Sequence, residues 1–352
     1  MFKNNRCACT PTREVISQLR LPLIILVMFA HSYSGVRAEY TLLGDGWETY
    51  EVQKLVVSQT LVKVAMPTFF VISGYLFFAN IKTWDAATYW RKIRRRVKTL
   101  LIPYLLWNLL MAVKLKTFSL NVFWTYSHHA GSQTDWLGNE QLMTAPANMP
   151  LWFLRDLMVV TLLTPIIYIG IRKWGGWLIA LLTLLYLSGI VAFTPGLSAY
   201  AVYFFTAGAF LSIRKMDLMG TCMRYEKLSY WLTSILAISM ILTFRTPVFS
   251  SLMLCFRITG VVAVFCLANR MLLHTNRRIP QTFCAASYFI YLAHFVFFFS
   301  FFDTAFFHLF GKGTASLCIH YLLSPLLKVG IFVSLYWLYR RMAPKRWWHG
   351  SF

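Results

Sequence analysis

Two residues near the start of the chain, Arg20 and His31, have the types and the spacing of a reaction centre. Eleven positions is close to three turns of an α-helix, so the two share one face with about 16 Å of rise between them. An imidazole that is neutral near pH 7 can take a proton from an attacking hydroxyl. A guanidinium offers a fork of donors to a phosphate or carboxylate. Both belong to an otherwise apolar stretch, Leu19 to His31, where an ionisable side chain is costly and marks function. Taken singly, Arg20 reads equally well as a base snorkelling to lipid phosphate, and His31 as a hydrogen-bonder between helices. Together they make a stripe that joins a fixed cation at the membrane surface to a titratable base deeper in.

Other polar residues interrupt apolar runs. Ser73-Gly74, in the run Met66 to Leu76, is a small pair that lets a helix or ligand approach, and Ser73 can donate a hydrogen bond to an oxyanion. Arg91, Arg94, Arg95, Arg96 and Lys98 form a basic run suited to phosphate, or to topology and anionic lipid. Trp152, Arg155 and Asp156 open a later apolar segment. Neighbours on a helix do not face each other, so Arg155 and Asp156 are expected to pair with other elements, lining or bracing a cavity. Arg257 and Lys328 lie deep in apolar segments, Lys63 near the outer end of one, and Tyr291 and His294 stand three apart on one helix face. His128-His129 has no carboxylate or cysteine at metal-ligand spacing, Cys7-Ala8-Cys9 lacks further ligands, and the seven cysteines give no disulfide framework, so no metal is expected.

The elements that must hold these residues follow from composition. Of 352 residues, 58% are apolar and 13% charged, with a mean hydropathy of +0.57. Soluble chains carry about twice that charge, which excludes a soluble, disordered or disulfide-scaffold protein. The fold expected is all-α and polytopic, with about ten spans at 15–36, 58–80, 100–118, 151–171, 174–193, 197–213, 229–245, 249–268, 283–302 and 317–339. The net charge of +22 suggests nucleic acid only until the bases are placed. With the N-terminus inside, 24 of the 34 fall on the cytoplasmic side, while Glu39, Asp45, Glu48, Glu51, Asp135, Glu140 and Asp303 fall outside. Both termini are therefore expected in the cytoplasm. Val36-Arg37-Ala38 loosely mimics a signal-peptide cleavage site, yet nine further spans follow and the first carries Arg20 and His31, which favours an uncleaved helix.

The landmarks, in their order, resemble the integral-membrane acyltransferase 3 family of carbohydrate O-acetyltransferases. They are Arg20 followed by His31, PTFFVISGYLFF at 67–78, a basic run leading into LLIPYLLWN at 100–108, PLWFLRDL at 150–157 and SYFIYLAH at 287–294. Two departures are a threonine, Thr99, where many relatives carry a second arginine, and Arg-Leu-Pro where many read Arg-Gly. The resemblance implies a cytoplasmic segment 1–14, a transmembrane acyltransferase domain 15–340 and a basic cytoplasmic tail 341–352. The esterase-like domain of some relatives is absent from it, so the membrane part is expected to act alone or with a partner. It further implies an enzyme of the cell inner membrane that moves an acyl group, usually acetyl, from acetyl-CoA or another acyl-CoA to a hydroxyl of a surface or exported carbohydrate. In it His31 is the general base or carries the acyl group, and Arg20 meets the donor with help from the 91–98 run. Ser73, Arg155 or a backbone amide stabilises the oxyanion, and Asp156 is one candidate to orient His31. Acyl-CoA enters as a substrate and no cofactor is expected; the partners are bilayer, donor and glycan.

The competing class is a glycan or glycolipid flippase, which also buries charge along a path. Many such proteins show inverted repeats or paired broken helices, and neither is found in this sequence. The orientation is directly testable. A phosphatase reporter fused within 121–148 is expected to be active and one within 216–226 silent; the reverse pattern would turn the whole arrangement over.

Overall fold

A computed structural model describes residues 11–32, 49–81, 83–117, 119–124, 126–127, 133–134, 140–141, 144–189, 196–244, 246–275, 277–297, 300–311 and 313–342. His128, His129, Cys7, Cys9, the mimic of a cleavage site, Glu39, Asp45, Glu48, Asp135 and most of the tail lie outside those residues. The described chain is helical apart from four two-residue strands, Tyr126–Ser127 paired with Thr144–Ala145 and Gln133–Thr134 paired with Glu140–Gln141.

We number the helices in chain order: α1 Thr12–His31, α2 Thr49–Phe78, α3 Ala86–Leu115, α4 Trp152–Leu162, α5 Thr164–Trp174, α6 Gly176–Ser188, α7 Ala199–Ile213, α8 Leu218–Arg224, α9 Glu226–Leu242, α10 Pro247–Thr275, α11 Gln281–Ala293, α12 Ser300–Phe310 and α13 Thr314–Met342. Among the described residues α1, α2, α3, α10 and α13 are long and apolar enough to cross a membrane, and the bent pair Met149–Leu162 and Thr164–Trp174 adds a sixth if it is one span. α6 and α7 are shorter apolar helices. The chain is a helical, multi-pass membrane protein. Leu105, Leu106, Leu109 and Leu110 on α3, and Leu322, Leu323, Leu326 and Leu327 on α13, are exposed, as lipid-facing rows would be.

Irregularities sit where the sequence withdraws a backbone donor. Pro165 supplies no N–H to the carbonyl of Thr161; the Thr164 hydroxyl donates to it instead at 2.7 Å, and the chain turns by 61° between α4 and α5. Pro103 likewise leaves the Thr99 carbonyl without its helical donor. The Tyr288 hydroxyl takes that place at 2.6 Å, and α3 passes through a π-helical stretch at Val97–Leu101. α2 runs through a π stretch, Leu55–Thr60, and a 3-10 stretch, Leu61–Val64, where Val56, Val57, Thr60, Val62 and Val64 crowd the preceding turn. The expected span 283–302 is corrected to two helices, α11 and α12. α11 stops because the His294 ring turns back onto the carbonyls of Ile290 and Tyr291.

The chain divides into two compact units. One comprises residues 1–20, 66–97 and 155–284, the other 21–65, 98–154 and 285–352. In the first unit α2 and α7 meet backbone to backbone. A Cβ built on Gly74 would stand 2.0 Å from the Phe205 carbonyl oxygen, and one on Gly208 would stand 2.0 Å from that of Val71. The Ser73-Gly74 pair therefore serves a helix crossing. In the second unit Phe29, Tyr50, Val62, Leu317 and Tyr321 form one core, and Met111, Ala112, Val122, Ala147 and Val296 another.

Gly74→Ala is expected to lower thermal stability in detergent by at least the ~1–3 kcal/mol typical of overpacking, since the obstacle is backbone. Gly330→Ala, on a helix face with nothing within 4 Å, is expected to be neutral or stabilising by ~1 kcal/mol. Equal melting temperatures for the two variants would contradict the crossing.

Candidate active site

His31 is the last residue of α1, and two of the carbonyls exposed by that ending are given hydroxyl donors. Ser32 Oγ donates to the Met28 carbonyl at 2.6 Å, and Ser58 Oγ, from the π stretch of α2, donates to the Phe29 carbonyl at 2.7 Å. Ser58 also shares a 2.5 Å hydrogen bond with the Tyr321 hydroxyl, which ties α13 to the same point. The His31 ring is thus carried on a helix end fixed from two sides, and it remains half-buried.

The end of α11 is closed in the same way. His294 Nδ1 lies 2.8 Å from the Tyr291 carbonyl and 3.2 Å from that of Ile290. Two acceptors require Nδ1 to carry the proton, so Nε2 carries the lone pair. The Tyr291 hydroxyl donates to the Pro150 carbonyl, and Asn148 Nδ2 donates to the Leu292 carbonyl at 3.2 Å. Asn148 is held in turn by its own N–H, which donates to Asn108 Oδ1 at 3.0 Å, while Asn108 Nδ2 donates to the Tyr104 carbonyl at 2.9 Å.

These two helix ends bring His31 and His294 together, with ring centroids 5.4 Å apart and the planes tilted by 43°. Phe295 sets its edge against His31 at 6.0 Å, and Lys63 lies within electrostatic range of it. Tyr291, packed edge-on to Phe153, adjoins His294 with centroids 6.2 Å apart. Sequence reasoning missed Asn108 and Asn148. Their signal was present: each is a lone amide at the edge of an apolar run, and each is fully buried.

The remaining candidates divide by unit. Trp152, half-buried at the start of α4, Lys98 and Lys328 belong with His31 and His294; Arg20, Ser73, the 91–96 arginines, Arg155, Asp156 and Arg257 belong to the other unit. Arg20 adjoins the Cys284 thiol and has no carboxylate partner among the described residues. Toward the start of its helix lies a cleft of about 570 Å³ lined by Arg13, Ser17, Gln18, Arg278 and Gln281. Gln18 grips both the N–H (2.6 Å) and the carbonyl (3.1 Å) of Ile279 there. Arg91, Arg94 and Arg95 are exposed, while Arg96 lies over the Phe77 ring at 5.7 Å.

One expectation is corrected. Arg155 and Asp156 do pair with each other, Nε to Oδ1 at 3.2 Å and both buried. Adjacent Cα–Cβ bonds diverge on a helix, but the arginine stem is long enough to wrap back to its neighbour. Asp156 also receives a hydrogen bond from Ser198, the N-cap of α7, so the pair braces the junction of α4 and α7. Arg257 Cζ stands 5.0 Å from the Tyr200 ring centroid. Lys328 meets Asp303 at 3.1 and 3.2 Å, and the same carboxylate accepts from Ser324 at 3.1 Å and pairs with His320 at 2.8 Å. Burial pushes the Cys222 thiol up to about 12, so it offers no thiolate nucleophile.

The chain belongs to the acyltransferase 3 family: the family's acyltransferase-domain model matches residues 14–339, a stretch that takes in every candidate from Arg20 to Lys328. It is also 25% identical over 169 residues to the succinoglycan biosynthesis protein ExoH of Rhizobium meliloti (strain 1021). That match covers 45% of this chain and 43% of the relative, so the chain spans less than half the length of the curated protein it matches. No solved structure matches the chain.

The buried quartet around Asp303 gives a stability prediction. Asp303→Ala leaves the Lys328 charge unpaired and is expected to destabilise the protein by ~3–5 kcal/mol. Asp303→Leu combined with Lys328→Met is expected to recover most of that loss in thermal unfolding while keeping activity. A double variant that folds but is inactive would instead place Lys328 in the chemistry.

Proposed function

We propose that the chain is a membrane O-acyltransferase, most simply an O-acetyltransferase, that moves an acyl group from cytoplasmic acyl-CoA to a hydroxyl of a cell-surface or exported carbohydrate. The observation that carries this reading is the His31–His294 pair, built on two fixed helix ends in a chain of an acyltransferase family. The relative named for succinoglycan biosynthesis supports a carbohydrate acceptor.

In this reading His31 is the general base. The acceptor oxygen bonds to the thioester carbonyl carbon as its proton passes to the His31 ring. The C–S bond then breaks, and the proton returns to the departing thiolate, which leaves an ester and free CoA thiol. Negative charge on the carbonyl oxygen needs a donor close by. Lys63, in the same unit as His31, joins Ser73 and Arg155 as a candidate for that role. Arg20 takes the polyanionic donor, assisted by the basic run 91–98, and the cleft beside Gln18 lies on the same stretch of α1. The ten-span reading places both termini in the cytoplasm and the protein in the inner membrane. In it α6, α7, α9 and the α11–α12 pair serve as further crossings beside the longer helices.

Purified protein given acyl-CoA and the producing cell's glycan is expected to release CoA thiol in step with ester formation. Glycan movement across vesicles with no acyl-CoA consumption would support a flippase instead. His31→Ala is expected to abolish transfer, general-base catalysis being worth about 10²–10⁴ in rate, while acyl-CoA binding persists. Arg20→Ala is expected to weaken donor binding by ~1.5–3 kcal/mol and to be partly rescued by raised acyl-CoA. Arg20→Lys is expected to be poorly tolerated, because an ammonium has no fork. Normal glycan acylation in His31→Ala cells, with the variant present in the membrane at wild-type level, would refute the assignment.

A further inference from the structure

The closure of α11 leaves two acceptors over. His294 Nε2 carries a lone pair because Nδ1–H is turned to two carbonyls, and it is buried without a hydrogen-bond partner among the described residues. Asn148 Oδ1 is in the same position, because Asn148 Nδ2 is spent on the Leu292 carbonyl. His294 is 3% exposed and Asn148 0%. A buried polar atom with no partner costs about 1–3 kcal/mol, and here two stand at one helix end beside the half-buried His31. Both are acceptors, so what completes them is a ligand that brings O–H donors. The thioester and phosphates of acyl-CoA bring none and its pantetheine arm brings isolated amide N–H groups and one hydroxyl; a sugar ring brings several hydroxyls on adjacent carbons.

We propose that His294, assisted by Asn148, is the acceptor-recognition element of the site, and that it selects a saccharide carrying a second free hydroxyl next to the one acylated. The inference rests on the acyltransferase reading. The reacting hydroxyl gives its proton to His31, and the neighbouring hydroxyl donates a hydrogen bond to His294 Nε2 and keeps its proton throughout. The 5.4 Å between the ring centroids suits two oxygens on adjacent ring carbons, one addressed by each imidazole. A site built to bond a hydroxyl rejects the analogue that lacks it, because the protein's own acceptor is then left unpaired. His294 is thus a specificity residue for the sugar, and the donor side does not depend on it.

The test uses purified full-length protein in detergent and a panel of methyl hexopyranosides with their monodeoxy and mono-O-methyl counterparts, which lack one neighbouring donor each. Ligand-observed NMR without acyl-CoA is expected to show a parent glycoside binding at least tenfold more tightly than one of its deoxy forms in wild type. That preference is expected to vanish in His294→Ala and to be partly kept in His294→Gln, whose amide oxygen can accept. With acyl-CoA present, His294→Ala is expected to raise KM for the glycoside tenfold or more, and His294→Gln to raise it less. Binding without deoxy discrimination in wild type would overturn the proposal, and so would a preference that survives in His294→Ala. A fall in kcat with KM for the glycoside unchanged would also overturn it, by making His294 a partner of the base. Should His294→Ala fail to fold, the wild-type panel and His294→Gln still decide the matter. Discrimination without any acyl transfer would leave this inference standing and remove the reading of the reaction on which it is built.

Discussion

A helix that ends inside apolar surroundings exposes carbonyls that water cannot reach, and the unit that holds His31 is organised around two such endings. Each free carbonyl costs several kcal/mol in hydrocarbon unless a donor is brought to it, on the order of a whole protein's net stability for a handful of them. Ser32 and Ser58 answer that demand at the end of α1, with Tyr321 holding Ser58, and Asn148 and His294 answer it at the end of α11. The chemistry inherits the result. The hydrogen bonds that let the helices stop where they do fix the backbone beneath His31 and the ring of His294.

The same rule explains the bends. Where proline removes a donor, a hydroxyl steps in: Thr164 for Pro165, Tyr288 for Pro103. Small residues do the complementary work where two helices must approach closely. Gly74 leaves room for the α7 backbone at Phe205 and Gly208 for the α2 backbone at Val71, each at a point where a Cβ would collide with a carbonyl. Hydroxyls at the breaks and glycines at the crossing are what permit broken and closely packed helices in a chain whose charged residues are so few.

Much of this was legible in the sequence because hydropathy is written residue by residue. Each expected span overlaps a helix or a pair of helices among the described residues, of which five, or six with the bent pair, are long and apolar enough to cross a membrane. Arg20 and His31 do lie on one helix, α1. What the sequence hid were contacts between segments far apart in the chain. His294 is 263 positions from His31, and nothing in the spacing of either says that their rings meet. Tyr291 and His294, three apart in the sequence, do adjoin in the structure, and the imidazole turns back onto its own helix's carbonyls where α11 ends. Asn108 and Asn148 were passed over because an amide carries no charge and looks unremarkable in a list of ionisable groups, although in an apolar setting it is just as demanding. Arg155 and Asp156 were assigned to different partners by a rule about Cβ directions, which does not bind a side chain as long as arginine.

Arg257 and Lys328 carry the same signal in the sequence, a lone cation deep in an apolar helix, and the structure answers them differently. Lys328 is met by a carboxylate that is itself bound by Ser324 and His320, so its charge is cancelled within the unit and the quartet pins α12 to α13. A cation neutralised this completely has little field left for a substrate, which is why the general rule that membrane-buried charge marks function does not extend to it. Arg257 has no carboxylate partner among the described residues. The Tyr186 hydroxyl, the Tyr200 ring face and the Met253 thioether, 3.4 Å from Nη2, take its place, and none of them carries a countercharge at neutral pH. The deciding quantity is the residual charge once the neighbours are counted, and hydropathy alone cannot supply it. By that measure Lys328 belongs to the scaffold, while Arg257 keeps a positive potential in a unit that also carries Arg20 and the exposed arginines of α3. The His31 unit has its own cations in Lys63 and Lys98, but Lys328 is paired within the quartet, and the groups at its two helix ends are imidazoles, hydroxyls and amides.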